Sequence, residues 1–381
     1  MSGEFPRGRS AIVGGATFGL GESPGFSPLE LAASASVLAL ADARVRLDQV
    51  DGLFICLPED QLSGLSFAEY LGLRPRLTDN NRTGGSAFMS HVVSAALALD
   101  AGLCDVVLIA YGAVPRTSKS FIGPLGTSYE TPYKPTLVAS YALAARRHMH
   151  EYGTTQEHLA SVAVAARQWA KHNPQAFMRS ELTIADCLES RRVASPLGVL
   201  DCCLVTDGAA AIVMTRADRA KDHCARPAYV LGGAAATTHR FIAAMPDLTR
   251  TAAADSGPRA FAQAKLRPAD VDVAQLYDAF TINPILFLED LGFCRKGEGG
   301  PFVASGATAP GGQLPVNSNG GGLSCVHPGM YGLFALEEAF RQLSRTPRGL
   351  AVPDVSVALA HGNGGVLSSQ ATVILGAEET L

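Results

Sequence analysis

The stretch YVLGGAA (229–235) begins a pattern that the chain has already used once, in AIVGGA (11–16). In each copy this strand is followed by a helix with apolar spacing and then by a second strand, which starts at Val50-Asp51 in the first copy and at Val271-Asp272 in the second. The copies stand roughly 220 residues apart, a period far too long for a solenoid. The chain is therefore predicted to contain a duplicated βαβ domain.

The later strands and helices occur in the same order in both copies. A glycine run opens a helix at residues 84–86 and again at 320–322, and the strands that follow are DVVLIAYG (105–112) and VSVALAHG (355–362). Alternating strands and helices of this kind form parallel or mixed sheets with right-handed crossovers. We therefore expect an α/β fold with five layers, helix-sheet-helix-sheet-helix, in which the two halves share a central helix layer.

The repeat also sets the expected domain limits. The first half is assigned residues 1–112 and 206–226, an insertion takes residues 113–205, and the second half takes residues 227–381. A connection of this length is typical of a lid or binding segment, so we expect the insertion to cover the active site. Its helices carry a basic set that suits either the phosphates of a nucleotide-like cofactor or a solvated surface. The set comprises Arg146, Arg147, His148, His150, His158, Arg167 and Lys171.

Composition excludes several classes of function. Hydrophobic residues make up 47% of the 381 residues, charged residues make up 17%, and the formal net charge is −4. This balance is typical of an α/β enzyme whose strands are covered by helices on both faces. The negative net charge gives no indication of nucleic-acid binding. The start MSGEFPRGRS has no apolar leader, and Asp100 and Asp105 interrupt the most hydrophobic stretch. We therefore expect a cytoplasmic protein with no membrane segment.

Neither a metal site nor a dinucleotide site is indicated. The eight cysteines include no CxxC pair and no regular spacing, which argues against a zinc cluster or a disulfide framework. The glycine-rich stretch IVGGATFGLGESPG (12–25) lacks the G-x-G-x-x-G spacing, and no acidic residue ends the next strand before Pro58. We interpret the part of this stretch that follows the strand at 11–16 as a tight loop.

Three blocks in the last hundred residues carry a family resemblance. They are LYDAFTINPILFLEDLGFC (276–294), LPVNSNGGGLSCVHPGMYGLFALEEAF (314–340) and LAHGNGG (359–365). Together they resemble signature blocks of the thiolase superfamily, in the branch of the sterol-carrier-protein thiolases and lipid-transfer proteins. The similarity extends over practically the whole chain, from about Ala11 to Gly376. It implies the thiolase fold, an acyl-CoA substrate and a homodimer.

Carried over residue by residue, the resemblance implies a site without the reactive thiols of the family. Tyr277 replaces a polar residue that holds an oxyanion-hole water, and Ala279 replaces the acid/base cysteine of the sterol-carrier branch. His361 stands where ordinary thiolases have another acid/base cysteine, and the position of the acylated cysteine corresponds to Gly85. His327 matches the hydrogen-bond donor to the thioester carbonyl oxygen.

Several residues of these blocks are candidates for binding the thioester or its enolate. Gly84, Gly85 and Ser86 lie at a predicted helix N-terminus, where free N–H groups favour an oxyanion. Ser86 is an alternative nucleophile without an obvious base, and an N-cap role is the simpler interpretation. The remaining candidates come from the three blocks and are Asp278, Asn319, Gly362 and Gly364.

Residues around His327 have competing interpretations. Tyr331 follows it by four positions and would share its helix face if Pro328 begins a helix; otherwise it is a core tyrosine. Cys325 precedes it by two positions, a spacing that does not bring side chains together. Asn319 would orient His327 or a water, although a turn residue is the preferred interpretation.

These features suit chemistry beside a CoA thioester without an acyl-cysteine. Some relatives implied by the resemblance cleave β-hydroxyacyl-CoA by a retro-aldol reaction, together with an OB-fold partner of the DUF35 type. His327 and the amides near Gly84 would hold the enolate oxygen, while Tyr277, Tyr331 or His361 would exchange the proton. Two alternatives stay open: a thiolase or acyl-CoA acyltransferase with an unconventional nucleophile, and a non-catalytic carrier of acyl-CoA or lipid.

Overall fold

The computed structural model describes residues 4–120, 132 and 136–381. The strands are β1 (Ser10–Gly21), β2 (Gly52–Cys56), β3 (Leu77–Asp79), β4 (Val106–Ala113), β5 (Arg192–Ala194), β6 (Leu197–Gly198), β7 (Asp207–Arg216), β8 (Ala228–Thr237), β9 (Val273–Leu276), β10 (Val357–Gly364) and β11 (Ser369–Gly376). The helices are α1 (Pro28–Asp42), α2 (Ser63–Leu71), α3 (Ala87–Asp100), α4 (Leu137–Tyr152), α5 (Gln156–Ala170), α6 (Ile184–Glu189), α7 (Ala217–His223), α8 (Ala253–Ala264), α9 (Ile282–Asp290), α10 (Gly299–Ala304) and α11 (Gly332–Ser344). No helix in these ranges is long and apolar enough to cross a membrane.

The strand order confirms the duplication. It reads β3-β2-β4-β7-β1-β8-β11-β10-β9, so β1, β7, β4 and β2 of the first half mirror β8, β11, β10 and β9 of the second. In each half the inner pairing is antiparallel and the outer pairing is parallel. Only two residue pairs, Ala11 with Tyr229 and Ile12 with Ala228, join the halves along β1 and β8.

The helices complete the five predicted layers. Helices α3 and α11 lie between the halves and contact strands of both, whereas α1 covers the outer face of the first half and α8 that of the second. The repeated glycine pair lets each outer helix approach its strand closely. A Cβ on Gly14 would lie 2.7 Å from Ala43, the residue that caps the C-terminus of α1. A Cβ on Gly232 would lie 2.9 Å from Ala264 of α8. The α/β fold class is therefore confirmed.

Two local expectations were wrong. Strand β1 is longer than predicted, because residues 17–21, interpreted as loop, continue the strand predicted at 11–16 and pair with β7 as far as Gly21. The glycine run at 320–322 does not open a long helix: Gly321–Cys325 forms a single π-helical turn, and α11 begins only at Gly332. The segment between the π-helical turn and α11 contains His327 and Pro328 and has irregular backbone. Pro328 and the glycine after it interrupt helical hydrogen bonding there.

The insertion packs against the second half through its basic helices. His148 of α4 is fully buried and its Nε2 lies 3.0 Å from a carboxyl oxygen of Glu289. Arg167 of α5 is also buried, and its Nε donates to Ser324 Oγ at 2.9 Å. These two residues therefore support the fold instead of forming one solvated basic surface. Residues 121–131 and 133–135 of the predicted lid lie outside the described residues.

Candidate active site

The hydroxyl of Tyr277 and the imidazole of His327 form the centre of the candidate site. Tyr277 directly follows β9, and its Oη lies 3.0 Å from Nε2 of His327. The two rings are nearly perpendicular, with an interplanar angle of 86°. Burial raises the pKa of Tyr277 well above its usual value and lowers the pKa of His327 to about 4. Both side chains are therefore neutral near pH 7.

Both halves of the chain hold His327 in place. Two N–H groups of the turn Gly321–Cys325 donate to the carboxyl oxygens of Asp278, at 2.6 and 3.3 Å. The backbone N–H of His327 donates to Thr206 Oγ1 at 2.9 Å, and the hydroxyl of Tyr111 on β4 donates to the carbonyl of the residue after His327. Asp278 is fully buried, which raises its pKa to about 7. It supports the turn from inside the protein.

The glycine run before α3 lies directly against Tyr277. Gly84 has a φ of +88°, in the left-handed region that favours glycine. A Cβ on Gly85 would overlap the ring of Tyr277 and would meet the carbonyl oxygen of Asn363 at 2.9 Å. An aromatic ring thus fills the space beside the position that the resemblance assigns to the nucleophile. The first N–H groups of a helix have no intrahelical acceptor, so those at the start of α3 suit an oxyanion.

Ser86 lacks the surroundings of a nucleophile. Its hydroxyl donates to Ser369 Oγ at 2.9 Å and lies 3.2 Å from two oxygens of Thr83, with no histidine or carboxylate among these partners. Although Ser86 occupies the N-cap position of α3, its side chain does not make the capping hydrogen bond. It instead links the first half to β11 of the second.

Tyr331 packs edge-on against the ring of Tyr277, with ring centroids 5.8 Å apart. It is the N-cap residue of α11, so the expected helical spacing from His327 is absent. Its hydroxyl donates to Asn319 Oδ1 at 2.9 Å, and the same oxygen accepts the N–H of Gly321 at 2.8 Å. The side chain of Tyr331 is wholly buried. Asn319 and Tyr331 therefore stabilise the turn that precedes His327.

His361 is enclosed within the second half. Its Nδ1 lies 2.9 Å from Thr372 Oγ1 and its Nε2 lies 3.0 Å from Gln370 Oε1, so both ring nitrogens are occupied. Burial lowers its pKa to about 4. The neighbouring Gly362 and Gly364 pack against the loop before α3, where added Cβ atoms would collide with that loop. His361, Gly362 and Gly364 therefore support the loop before α3 through packing and hydrogen bonds.

The thiols of the chain are poorly placed for nucleophilic chemistry. Cys325 is 2% exposed, and its sulfur accepts an N–H from Asn173 at 3.6 Å. Cys203 is half-buried, and its backbone N–H donates to the carbonyl of Ala279 at 2.8 Å. Burial raises the pKa of both thiols. Among the described residues, no group of three His, Cys, Asp or Glu side chains is arranged to hold a metal ion.

Several supporting residues had no signal in the sequence. Tyr111, Thr206 and Cys203 belong to strands or loops of ordinary composition, yet each makes a hydrogen bond within three residues of Tyr277 or His327. Their role depends on contacts between distant parts of the chain, which no local pattern encodes.

Comparisons with known proteins identify the family of the chain. Residues 234–377 match a family model described as thiolase C-terminal domain-like. The chain is 37% identical over 366 residues to the 17-hydroxy-3-oxo-4-pregnene-20-carboxyl-CoA lyase of Mycobacterium tuberculosis, covering 89% of this chain and 92% of the relative. It is 33% identical over 373 residues to an acetyl-CoA acetyltransferase of Methanothermobacter thermautotrophicus, covering 93% and 96%. A solved Ltp2-ChsH2(DUF35) aldolase superposes with a TM-score of 0.89 at 32% identity, covering 98% of each chain.

Proposed function

From the premise that this chain belongs to the thiolase superfamily, we propose that it cleaves β-hydroxyacyl-CoA by a retro-aldol reaction, without an acyl-cysteine. The position of Tyr277 carries the proposal. Its ring fills the space beside Gly85, and its hydroxyl, instead of a thiol, faces His327. A retro-aldol reaction needs a proton acceptor and an oxyanion site but no covalent acyl carrier.

The proton route runs through two residues. Tyr277 Oη accepts the proton of the β-hydroxyl group while its own proton passes to Nε2 of His327, 3.0 Å away. This relay avoids a free phenolate, which the raised pKa of Tyr277 disfavours. The bond between the α and β carbons breaks, its electron pair forms the thioester enolate, and a free carbonyl compound leaves.

The enolate is stabilised at the start of α3. N–H groups near Gly84 and Gly85 bind its oxygen, and the imidazolium formed on His327 lies close to the same negative charge. That charge compensates for the low pKa of His327, about 4 in the free protein. The proton then returns through Tyr277 to the α carbon, which completes a shorter acyl-CoA. Coenzyme A takes part only as a portion of the substrate.

A product assay tests the reaction type. Purified protein is given a β-hydroxyacyl-CoA and the matching β-ketoacyl-CoA, each with and without free CoA, and the carbonyl and acyl-CoA products are quantified. We expect cleavage of the β-hydroxy ester that does not depend on free CoA. Turnover of only the β-keto ester, with strict dependence on CoA, would overturn the proposal.

An acyltransferase is the second candidate function. It is favoured by the 33% identity to an acetyl-CoA acetyltransferase. A thiol to test for such a mechanism is that of Cys203, whose backbone N–H donates to the carbonyl of Ala279, two residues after Tyr277. Its raised pKa leaves little reactive thiolate near pH 7. Mass spectrometry after incubation with acetyl-CoA distinguishes the two functions, because an acyltransferase of this type would carry an acetyl group on a cysteine.

The substrate and protein partner follow from the relatives. The Mycobacterium tuberculosis relative is named for a pregnene carboxyl-CoA, and the solved neighbour is named as an aldolase assembled with a DUF35 protein. We propose that this chain accepts a bulky, steroid-like β substituent and works with a small OB-fold partner of that type. The assay above is therefore run with steroid and straight-chain esters, with and without that partner.

Pairing of two copies is proposed along the outer edge of the first half. Among the described strands, β3 has a neighbour on only one side. The adjacent α2 exposes Leu65 and Tyr70, at 64% and 51%. An open strand edge flanked by apolar side chains is a natural site for self-association. Leu65→Glu should convert a dimer to a monomer in light scattering, whereas Leu143→Glu, on α4, should not.

A further inference from the structure

A continuous series of buried hydrogen bonds crosses the second half, from the outer helix α8 to the insertion helix α4. Successive donor–acceptor distances along it are 3.1, 2.9, 3.0, 2.8 and 2.9 Å, and every member is at most 3% exposed. The members in order are Ser256, Thr372, His361, Gln370, Asn363 and Tyr141.

The direction of this series is determined by its last bond. The hydroxyl of Tyr141 donates to the carbonyl of Gly365 at 3.1 Å, so its oxygen must accept the N–H of Asn363. The amide oxygen of Asn363 then accepts from Gln370, and the amide oxygen of Gln370 accepts from Nε2 of His361. Nδ1 of His361 is left as the acceptor for the hydroxyl of Thr372. Each group therefore has one role, and His361 is held as a single neutral tautomer.

The series ends against the loop that forms the oxyanion site. A Cβ on Gly84 would meet the Cα of Gly364 at 2.7 Å, and a Cβ on Gly85 would meet the carbonyl oxygen of Asn363 at 2.9 Å. With no side chain between the two backbones, a shift of residues 363–365 is transmitted directly to the glycine loop. Tyr141 therefore influences the site through the backbone that it anchors.

We propose that His361 and Tyr141 are positioning residues that fix the amides near Gly84 and Gly85, acting through Gln370 and Asn363. The proposal deepens the proposed function, on which it rests for its kinetic test. It also assigns the insertion a specific task, because Tyr141 lies on α4 and packs against Phe280 with ring centroids 4.3 Å apart and an interplanar angle of 30°.

Variants at both ends of the series test the positioning role. Tyr141→Phe keeps the ring but removes both hydrogen bonds, and we expect kcat to fall about tenfold or more with little change in KM, since small displacements of catalytic groups carry large costs. Tyr229→Phe, at another buried tyrosine on β8, is the matched control and should keep full activity.

Two substitutions of His361 separate positioning from acid/base chemistry. His361→Gln can still donate to Gln370 and accept from Thr372, whereas His361→Leu can do neither. We expect the Gln variant to keep most of the activity and the Leu variant to lose about tenfold or more. Equal loss in both would overturn the proposal, because a proton-transfer role cannot be rescued by an amide.

A binding measurement works even if the chain has no lyase activity. Butyryl-CoA has the thioester oxygen that the amides would bind, and S-butyl-CoA lacks it. Calorimetry should show that the wild-type protein binds butyryl-CoA more tightly than S-butyl-CoA. In Tyr141→Phe, the ratio of the two dissociation constants should be smaller by at least about threefold. An unchanged preference would refute positioning, whereas lost preference without any turnover would refute only the retro-aldol function.

Discussion

The ring of Tyr277 lies where a side chain on residue 85 would point. A Cβ added to Gly85 would overlap this ring, and the hydroxyl at the far end of the ring reaches His327 at 3.0 Å. A large residue at one position therefore requires a small residue at the other. Covalent acyl transfer from position 85 and proton transfer through Tyr277 are, on this geometry, mutually exclusive uses of the same space.

Steric coupling between these positions should be measurable in unfolding experiments. Gly85→Ala alone should destabilise the protein by about 1–3 kcal/mol, the usual cost of overpacking. Tyr277→Ala in the same chain should relieve the part of that cost that comes from the ring, whereas Tyr277→Phe should not. The contact with the carbonyl oxygen of Asn363, at 2.9 Å, would remain in both. Urea unfolding of all single and double variants gives the coupling energy. Additive effects in the Ala pair would show that the ring can move aside.

The two tyrosines should respond differently to loss of their hydroxyl groups. Tyr277→Phe should lower cleavage at least about tenfold to a hundredfold, within the range for losing a general base. Tyr331→Phe should have a smaller effect and cost about 1 kcal/mol of stability, because its hydroxyl bonds only Asn319. Steady-state kinetics and thermal unfolding measure both. Full activity of Tyr277→Phe, with CoA-dependent product release, would restore the thiolase interpretation.

Removal of the imidazole at position 327 should affect turnover more than folding. His327→Ala should lower kcat by roughly 10²–10³, because the relay loses its acceptor and the enolate loses a nearby donor. The melting temperature should change little, since His327 is only half-buried. His150→Ala, at an exposed histidine of α4, is the control. Normal turnover of the His327 variant would assign this residue a structural role alone.

Thiol alkylation should leave activity largely intact. Burial raises the pKa of every one of the eight cysteines, so little reactive thiolate is present near pH 7. Iodoacetamide treatment, followed by mass mapping and assay, checks this. Complete inactivation that substrate prevents would contradict a cysteine-free mechanism. Cys203→Ala and Cys325→Ala would then identify the responsible thiol.

Stability should fall in mild acid partly because of His91. This residue is fully buried on α3, neither ring nitrogen has a hydrogen-bond partner among the described residues, and burial lowers its pKa from 6.5 to about 4. Between these values the unfolded chain binds a proton that the folded chain does not, so stability is lost as the pH drops from about 6.5 to 4.

The loss attributable to His91 is up to about 3 kcal/mol, at 1.36 kcal/mol for each pKa unit. His91→Leu cannot be protonated and should flatten this part of the pH dependence while costing little at pH 7.5. Urea unfolding at a series of pH values provides the measurement. An unchanged slope in the variant would mean that other groups cause the acid sensitivity.

The fold was largely predictable because its signals are local. Strand and helix periodicity, the Val-Asp joints and the repeated glycine pair each depend on a few neighbouring residues. Their repetition predicted the duplication that the mirrored strand order confirms. Tyr277 and His327 were also identifiable as candidate site residues from their blocks. Predictions failed where a stretch had two possible structures, as at 17–21 and 320–322.

Only the tertiary structure decided which side chains meet. From the sequence alone, Tyr277, Tyr331 and His361 were equal candidates for the proton carrier, and Gly85 was simply a missing cysteine. Packing of the two halves then placed the Tyr277 ring against Gly85, turned Tyr331 towards Asn319 and enclosed His361 between Thr372 and Gln370. A chain's local pattern determines its elements, but contacts between residues far apart in sequence depend on how layers pack, and the chemistry of this site lies in those contacts.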